Sequence, residues 1–218
     1  MYFASRLQAG RMLASQLVPK YRYENCAVVA LNNGGVMVGA QIAAQLHCVL
    51  NMLLAEEIKL PQEPDAIAAI TQDGSFSYNE KYAQSEIDEM VMEYHSLIDQ
   101  EKFSRLEHMN QLLGGDGLIR KELLKGHNII LVADGFSSGF MLDVAVAFLK
   151  PIAIEKVIIA TPLASVDAVD RMHVLADELY CLSVVGEYIS TDHYYDQQDV
   201  PDQDTVVKTL SNIILNWK

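Results

Sequence analysis

The sequence predicts an α/β fold, a parallel sheet wrapped by helices, and three observations predict it. Short β-rich runs alternate along the chain with helical patterns, as they do where each strand reaches its parallel neighbour through a helix. The strand candidates are apolar almost throughout instead of alternating, which suits strands covered on both faces. A length of 218 residues fits one α/β domain with a substantial core.

The first element expected is a helix at about residues 4–18, within the amphipathic stretch "MYFASRLQAGRMLASQ". A strand at Ala27–Leu31 follows, and the Gly34–Gly35 turn leads into a helix over 36–46. Two further strands are expected at Val49–Ala55 and Ile67–Thr71. Between Asn79 and Leu113 the pattern changes. Ile87, Val91, Tyr94 and Ile98 recur at i, i+4, i+7 and i+11, followed by Met109, Leu112 and Leu113, one apolar stripe on a long helix closed by Gly114–Gly115. Its acids, Glu86, Asp88, Glu89, Glu93, Asp99 and Glu101, read as a solvated face. His95 and His108 are too far apart to meet on one turn and read as surface or packing residues.

The second half repeats the strand–helix rhythm. Strands are expected at Ile129–Ala133, Val157–Pro162 and Leu179–Val184, with helices at 140–149, 165–176 and 202–217. Ser165 and Asp202 stand where a side chain would cap the first free amides of a helix. Trp217 is expected to anchor the last helix. There is no repeat, low-complexity tract or Pro/Ser-rich linker, so the reading is a single domain over 1–218. Residues 72–125, approximately, form an insertion with the long helix, and about 186–201 form a loop over the site. In that loop Tyr188, Tyr194 and Tyr195, beside His193, would pack on one another or stack on a base.

A formal charge of −13 argues against a nucleic-acid partner, because phosphate backbones are held by clustered Lys and Arg. It also means that an anionic small ligand needs local help from amides, a metal ion or a few cations. The longest apolar runs fall far short of the ~20 residues of a membrane span, and the N-terminal stretch, broken by Arg6 and Arg11, lacks the apolar segment of a secretory signal. The expected location is cytoplasmic, with no membrane partner. Cys26, Cys48 and Cys181 lie in or beside apolar segments and read as free, buried thiols without metal-ligand spacing.

Two loops carry the functional signal. In "ALNNGGVMVGAQIA", residues 30–43, Gly34 and Gly35 end a strand and open a helix, where free amides and the helix dipole attract an anion. The GxGxxG spacing of a dinucleotide fingerprint is absent. In "NIILVADGFSSGFMLDVA", residues 128–145, a strand ends in one acid, Asp134. Gly135, Ser137, Ser138 and Gly139 then lead into a helix near Phe140. Small residues let a backbone approach a ligand, and two hydroxyls add donors beside the helix amides. Asp134 sits at the carboxyl end of its strand, where open α/β sheets bind ligands.

These segments resemble the type I phosphoribosyltransferases nearly end to end, in particular a bacterial group of predicted phosphoribosyltransferases. "AGRMLASQL" (9–17) resembles the family's opening helix, and "VVALNNGGVMVGAQIA" (28–43) its first strand and loop. "IILVADGFSSGFM" (129–141) is similar to the signature of a strand, two acids and a small-residue loop. "KVIIATPLASVDAVDRMHVLADELYCLSVV" (156–185) is similar to the strand–helix–strand that follows. The resemblance implies binding of phosphoribosyl pyrophosphate with magnesium and transfer of its ribosyl phosphate to a nitrogenous base. It places Gly135, Ser137, Ser138, Gly139, Phe140 and Met141 around the 5′-phosphate, Asp134 on a ribose hydroxyl as the catalytic acid, and Asn32, Asn33, Gly34 and Gly35 at the pyrophosphate. No resident metal site is expected among the side chains of this chain.

The departures set the functional expectation. Ala133 stands at the first of the two acids, so one ribose hydroxyl loses an acceptor worth about 1.5–3 kcal/mol. Met141 replaces a hydroxyl residue, and Asn33 stands where an Arg precedes Gly-Gly, without the charge or fork of a guanidinium. Glu56–Glu57, with Lys59 close behind, replace a basic pair and read as a surface loop, or as a metal or hydroxyl site. Electrostatic stabilisation is usually the largest catalytic contribution, and one aimed donor is worth roughly 10²–10³ in rate. The expectation is therefore a protein that binds a small ribose 5-phosphate ligand with weak or lost transfer. The alternatives are an active transferase with magnesium on Glu56 or Glu57, and a non-catalytic interaction protein whose pocket is filled by Phe140 and Met141. A homodimer is expected, and magnesium only where phosphoribosyl pyrophosphate binds.

Overall fold

The computed structural model describes residues 2–113, 119 and 121–213. In chain order the elements are α1 (Arg6–Tyr21), β1 (Cys26–Ala30), α2 (Asn33–Leu46), β2 (Val49–Met52), β3 (Ala55–Ile58), β4 (Ala68–Thr71), β5 (Phe76–Tyr78) and α3 (Gln84–Leu113). They continue with β6 (Asn128–Val132), α4 (Phe140–Leu149), β7 (Lys156–Ser165), α5 (Val166–Leu175), β8 (Glu178–Val185) and α6 (Gln203–Asn212). Trp217 and the Gly114–Gly115 stop lie outside the described residues.

The chain separates into two compact units, one within Met1–Leu53 and Ile119–Lys218, the other within Leu54–Leu118. The first is built on a five-stranded sheet of order β2-β1-β6-β7-β8, parallel throughout. This is the predicted α/β architecture, and its reason is visible strand by strand. β1 and β6 are buried at every position, which a strand tolerates only if both neighbours and both faces are covered. Val28, Ile130 and Ile158 point to a core shared with Leu13, Leu17 and Ile42 of α1 and α2. Their sequence neighbours Val29, Ile129 and Ile159 point to the opposite core, with Leu142 and Phe148 of α4 and Met172 of α5. The caps read from the sequence are formed: Ser165 accepts from the Ala168 amide at 3.0 Å and Asp202 from the Thr205 amide at 2.9 Å.

The second unit holds an antiparallel sheet of order β3-β4-β5 together with α3. Here the structure corrects the strand reading. The run Val49–Ala55 is not one strand: the Leu53 amide still bonds the Ala30 carbonyl at 2.9 Å, whereas the Leu54 amide and carbonyl both pair with Gln72. Ile67–Thr71 does supply a strand, but in the antiparallel sheet. Continuous apolarity reports burial and does not identify the sheet. Glu56 and Glu57 accordingly sit within β3, not in a loop. The long helix is present and buries Ile87, Ile98 and Met109, with Tyr94 at φ −110, ψ 18 kinking it between the first two.

At the amino end of β8, Glu178 accepts from Lys20 at 2.6 Å and Lys156 at 3.2 Å. Partial burial alone would raise its carboxyl, but Lys20 first, then the nearby Tyr21 hydroxyl and Lys156, outweigh this and hold it down to about 2. A carboxyl depressed in the folded state contributes stability above its unfolded value, and loses it as pH falls through the folded one. Glu178→Gln is expected to lower stability at pH 7 by about 1 kcal/mol or less. In urea titrations at several pH values, that deficit should shrink below about pH 4.5 and vanish near pH 2.

Candidate functional site at the carboxyl end of the sheet

β6 delivers Asp134 to the carboxyl end of the first unit's sheet, and there the side chain is buried against a cation from the start of α1. The Nε of Arg6 donates to Asp134 Oδ2 at 2.6 Å, and Asn32 Nδ2 donates to Oδ1 at 2.8 Å. The other edges of the same guanidinium reach the polar segment before α6: Nη1 bonds Asp199 at 2.9 Å and Nη2 bonds Asp192. The Arg6 Cζ lies 4.4 Å from the centre of the Tyr195 ring, whose hydroxyl donates to the Asp134 carbonyl at 2.6 Å. Main-chain pairing keeps these pieces together, with Phe3 N bonded to Tyr194 O and Asp196 N to Phe3 O, each at 2.9 Å.

Burial on its own would lower the Arg6 pKa, but Asp134 first, and then Asp199 and Asp192, raise it above its usual value, so the guanidinium is charged. Burial pushes the Asp134 carboxyl upward, against the pull of Arg6 and Asn32.

The glycines of the first loop are explained by this acid. A Cβ on Gly34 would lie 1.9 Å from Asp134 Oδ2 and 2.8 Å from Arg6 Nε, and one on Gly35 would lie 2.8 Å from the Val132 carbonyl. Only glycine lets the first turn of α2 come this close. Asn32 caps that helix through the Gly35 amide at 2.6 Å while holding Asp134 with its other side-chain end, and α2 therefore begins earlier than the expected residue 36. Asn33 turns away, donating to the Pro201 carbonyl at 3.3 Å.

In the second loop, Phe136 is pinned to the extended end of β7, its amide on the Leu163 carbonyl at 3.1 Å and its carbonyl on the Ser165 amide at 2.9 Å. Gly135 lies under Tyr188, whose hydroxyl would be 2.6 Å from an added Cβ. Ser137 and Ser138 are exposed, and the Ser137 carbonyl accepts from Ser165 Oγ at 2.9 Å. Gly139 begins α4 with no side-chain cap on its amides. Arg171 of α5 runs across Gly139, with its Cβ and Cγ 2.4 Å from where a Cβ would be, and donates to Asp143 at 2.6 Å. Phe140 is buried and Met141 half-buried.

The predicted positions are therefore divided. Asn32, Gly34, Gly35 and Asp134 form one cluster, and Ser137, Ser138 and Gly139 form an open turn at the start of α4. Sequence reasoning missed Arg6, Asp192 and Asp199. One signal was available: α1 has no acid in its first turn and begins with an arginine, the wrong charge for the positive end of a helix dipole. Tyr194 and Tyr195 are buried against Phe3, Ala9 and Leu163, with Tyr188 half-buried beside them. Burial pushes the Cys26 thiol up to about 11 and the Cys48 thiol to about 12. Both are buried, as expected, while Cys181 is half-buried.

Of the acids that a magnesium-bound diphosphate donor would be expected to meet, Asp134 and Glu56 already have partners. Asp134 is committed to Arg6 and Asn32, and in the second unit Glu56 is committed to Arg105 at 3.3 Å and His108 at 2.6 Å. Among the described residues no group of three His, Cys, Asp or Glu is arranged to hold a metal ion, and no helix is long and apolar enough to cross a membrane.

A parallel sheet whose second-loop signature opens a helix, with an acid at the end of its central strand, defines a phosphoribosyltransferase-type fold. The phosphoribosyl transferase domain family matches residues 3–204, and the chain belongs to that family. Two Mycobacterium tuberculosis proteins, provisionally named phosphoribosyl transferases, are each 28% identical over 213 residues, 95% of this chain and 46% of theirs. The chain thus spans about half the length of these curated relatives. The crystal structure of TT1426 from Thermus thermophilus shares the fold with a TM-score of 0.72 and 24% identity, over 100% of this chain and 99% of that one. A hypoxanthine phosphoribosyltransferase of Staphylococcus aureus shares it at a TM-score of 0.50 and 10% identity, covering 86% of this chain and 79% of that one.

Removing one partner of a buried ion pair costs about 3–5 kcal/mol, because the other charge is left uncompensated. Arg6→Met is expected to destabilise the protein by about that amount, and adding Asp134→Asn should recover at least about 1 kcal/mol of it. A double-mutant cycle by urea denaturation reads the coupling, and strictly additive losses would contradict the pairing.

Proposed function

We propose that this chain is a phosphoribosyltransferase-fold protein that binds the phosphate end of a ribose 5-phosphate-containing ligand and has weak or no transfer activity. The observation that carries this reading is the contrast between the two ends of the site. At the phosphate end, the amides opening α4 have no side-chain cap and the Ser137 and Ser138 side chains are exposed, a ready arrangement for an oxyanion. At the ribose and pyrophosphate end, the single acid is neutralised by Arg6, and the residue before Gly-Gly is a neutral amide bonded to Pro201. Among the described residues, the guanidinium at that end is Arg6, and it is already bonded to three carboxylates. Asp134 cannot accept from a ribose hydroxyl with both oxygens without giving up Arg6 or Asn32.

Two measurements test this. In calorimetry, ribose 5-phosphate and phosphoribosyl pyrophosphate should bind with affinities within a few-fold of each other, with or without magnesium. Tight binding of the diphosphate only with magnesium, followed by pyrophosphate release when purine or pyrimidine bases are added, would establish an active transferase instead. Replacing Ser137 and Ser138 together by Ala should weaken ribose 5-phosphate about tenfold or more, since a hydrogen bond to a charged group contributes about 1.5–3 kcal/mol. Unchanged affinity would place the phosphate elsewhere.

A further inference from the structure

β8 is an edge strand with the composition of an inner one. Its residues from Leu179 to Val185, "LYCLSVV", are apolar apart from Ser183 and carry no charge, the pattern of a strand with a neighbour on each side. The sheet nevertheless stops here: among the described residues no strand lies beyond β8. Burial shows the consequence. β1 and β6 are buried at every position, whereas β8 is half-buried from Glu178 to Ser183 and at Val185, and Val184 is 53% exposed. Tyr180 and Leu182 pack against one core, Leu179 and Cys181 against the other, and neither pair is closed over. Open edges are normally guarded by shortness, by Lys or Pro, or by a covering element. β2, the opposite edge, is four residues long, but β8 is eight long and has neither Lys nor Pro. One of its outward groups can be located. Leu163 O and Ser165 N of β7 are bonded to Phe136, so Ala164 faces β8, and its register partner Val184 turns its own N–H and C=O to the open side.

We propose that the open edge of β8 pairs antiparallel with the same edge of a second copy of this chain, across a two-fold axis, so that two five-stranded sheets become one. The occupant is a second copy because the edge complements itself, as a two-fold interface requires. The axis brings the amino end of each β8 to the carboxyl end of the other. At the amino end Lys20 and Lys156, 53% and 45% exposed, share the single carboxylate of Glu178, while Asp177 is turned onto the Val157 amide. Just past the carboxyl end stands the exposed Glu187, so unlike charges meet at both ends of the contact. Between the ends Leu179–Val185 bring no charge against a like charge, which matters in a chain of formal charge −13. Pairing also gives the half-open Leu179, Tyr180 and Leu182 cross-strand neighbours, and it satisfies main-chain groups such as those of Val184. The interface is independent of the phosphate reading of the second loop.

The test follows the mass of the full chain by sedimentation equilibrium, for wild type, Val184→Pro and Glu187→Lys, and the amide hydrogen exchange of β8 in concentrated and dilute wild type. Val184→Pro removes an outward N–H and spares the ladder to β7, since Pro is tolerated where an edge strand faces solvent. Wild type should be a dimer, and Val184→Pro should raise its dissociation constant at least about tenfold. Glu187→Lys should raise it about fivefold at low salt and less at high salt. The Val184 amide should exchange more slowly in concentrated than in dilute wild type, a readout that needs no variant to fold. A wild type that stays monomeric, its edge amides exchanging freely, would overturn the proposal and leave the edge to a strand of another protein. A dimer equally tight in Val184→Pro, or a Val184 amide indifferent to concentration, would put the contact elsewhere and overturn it too.

Discussion

The ion pair between Arg6 and Asp134 joins the first turn of α1 to the end of β6, and much of its surroundings serves to make it tolerable. Taking two charges out of water costs several kcal/mol each, repaid only where geometry is good and the remaining donors and acceptors are satisfied. Here every edge of the guanidinium has a carboxylate, its face has the Tyr195 ring, and the second oxygen of Asp134 has Asn32. The glycines at 34 and 35 follow from the same requirement, since a side chain at either would push into the acid, its cap or the strand end. Strand, helix cap, glycine turn and polar segment are thus parts of one electrostatic arrangement.

This changes the meaning of the loop chemistry. In this member of the family the acid at the end of β6 is turned inward, onto Arg6 and Asn32. The amides opening α4 are unaffected, because they belong to the backbone and need only small residues nearby. Main-chain amides depend on small neighbouring residues more than on the identity of any one side chain, whereas the acid at the end of β6 is set by its partners Arg6 and Asn32.

What the sequence made legible divides along the same line. β1 and β6 were readable because a strand buried on both faces must be apolar at each position, and the caps at Ser165 and Asp202 because capping is decided within four residues. The hand-over at Leu53–Leu54 was not readable, since apolarity continues unbroken while the hydrogen-bond partners change. The kink at Tyr94 was hidden by an apolar spacing that runs through it. Within the site, Asp134 and the glycines stood out as local oddities. Their cation did not, because an arginine on an amphipathic helix looks like any other surface charge until its partners are known.

Arg6 precedes Asp134 by 128 residues, Asp192 by 186 and Asp199 by 193. A contact so remote along the chain forms only after much loop-closure entropy has been spent, and such pairings slow folding. During synthesis the arginine would leave the ribosome long before any of its acids, and the helix it opens would wait with an unanswered charge. The seal at this end of the sheet therefore cannot close until the polar segment before α6, which carries Asp192 and Asp199, has itself been made.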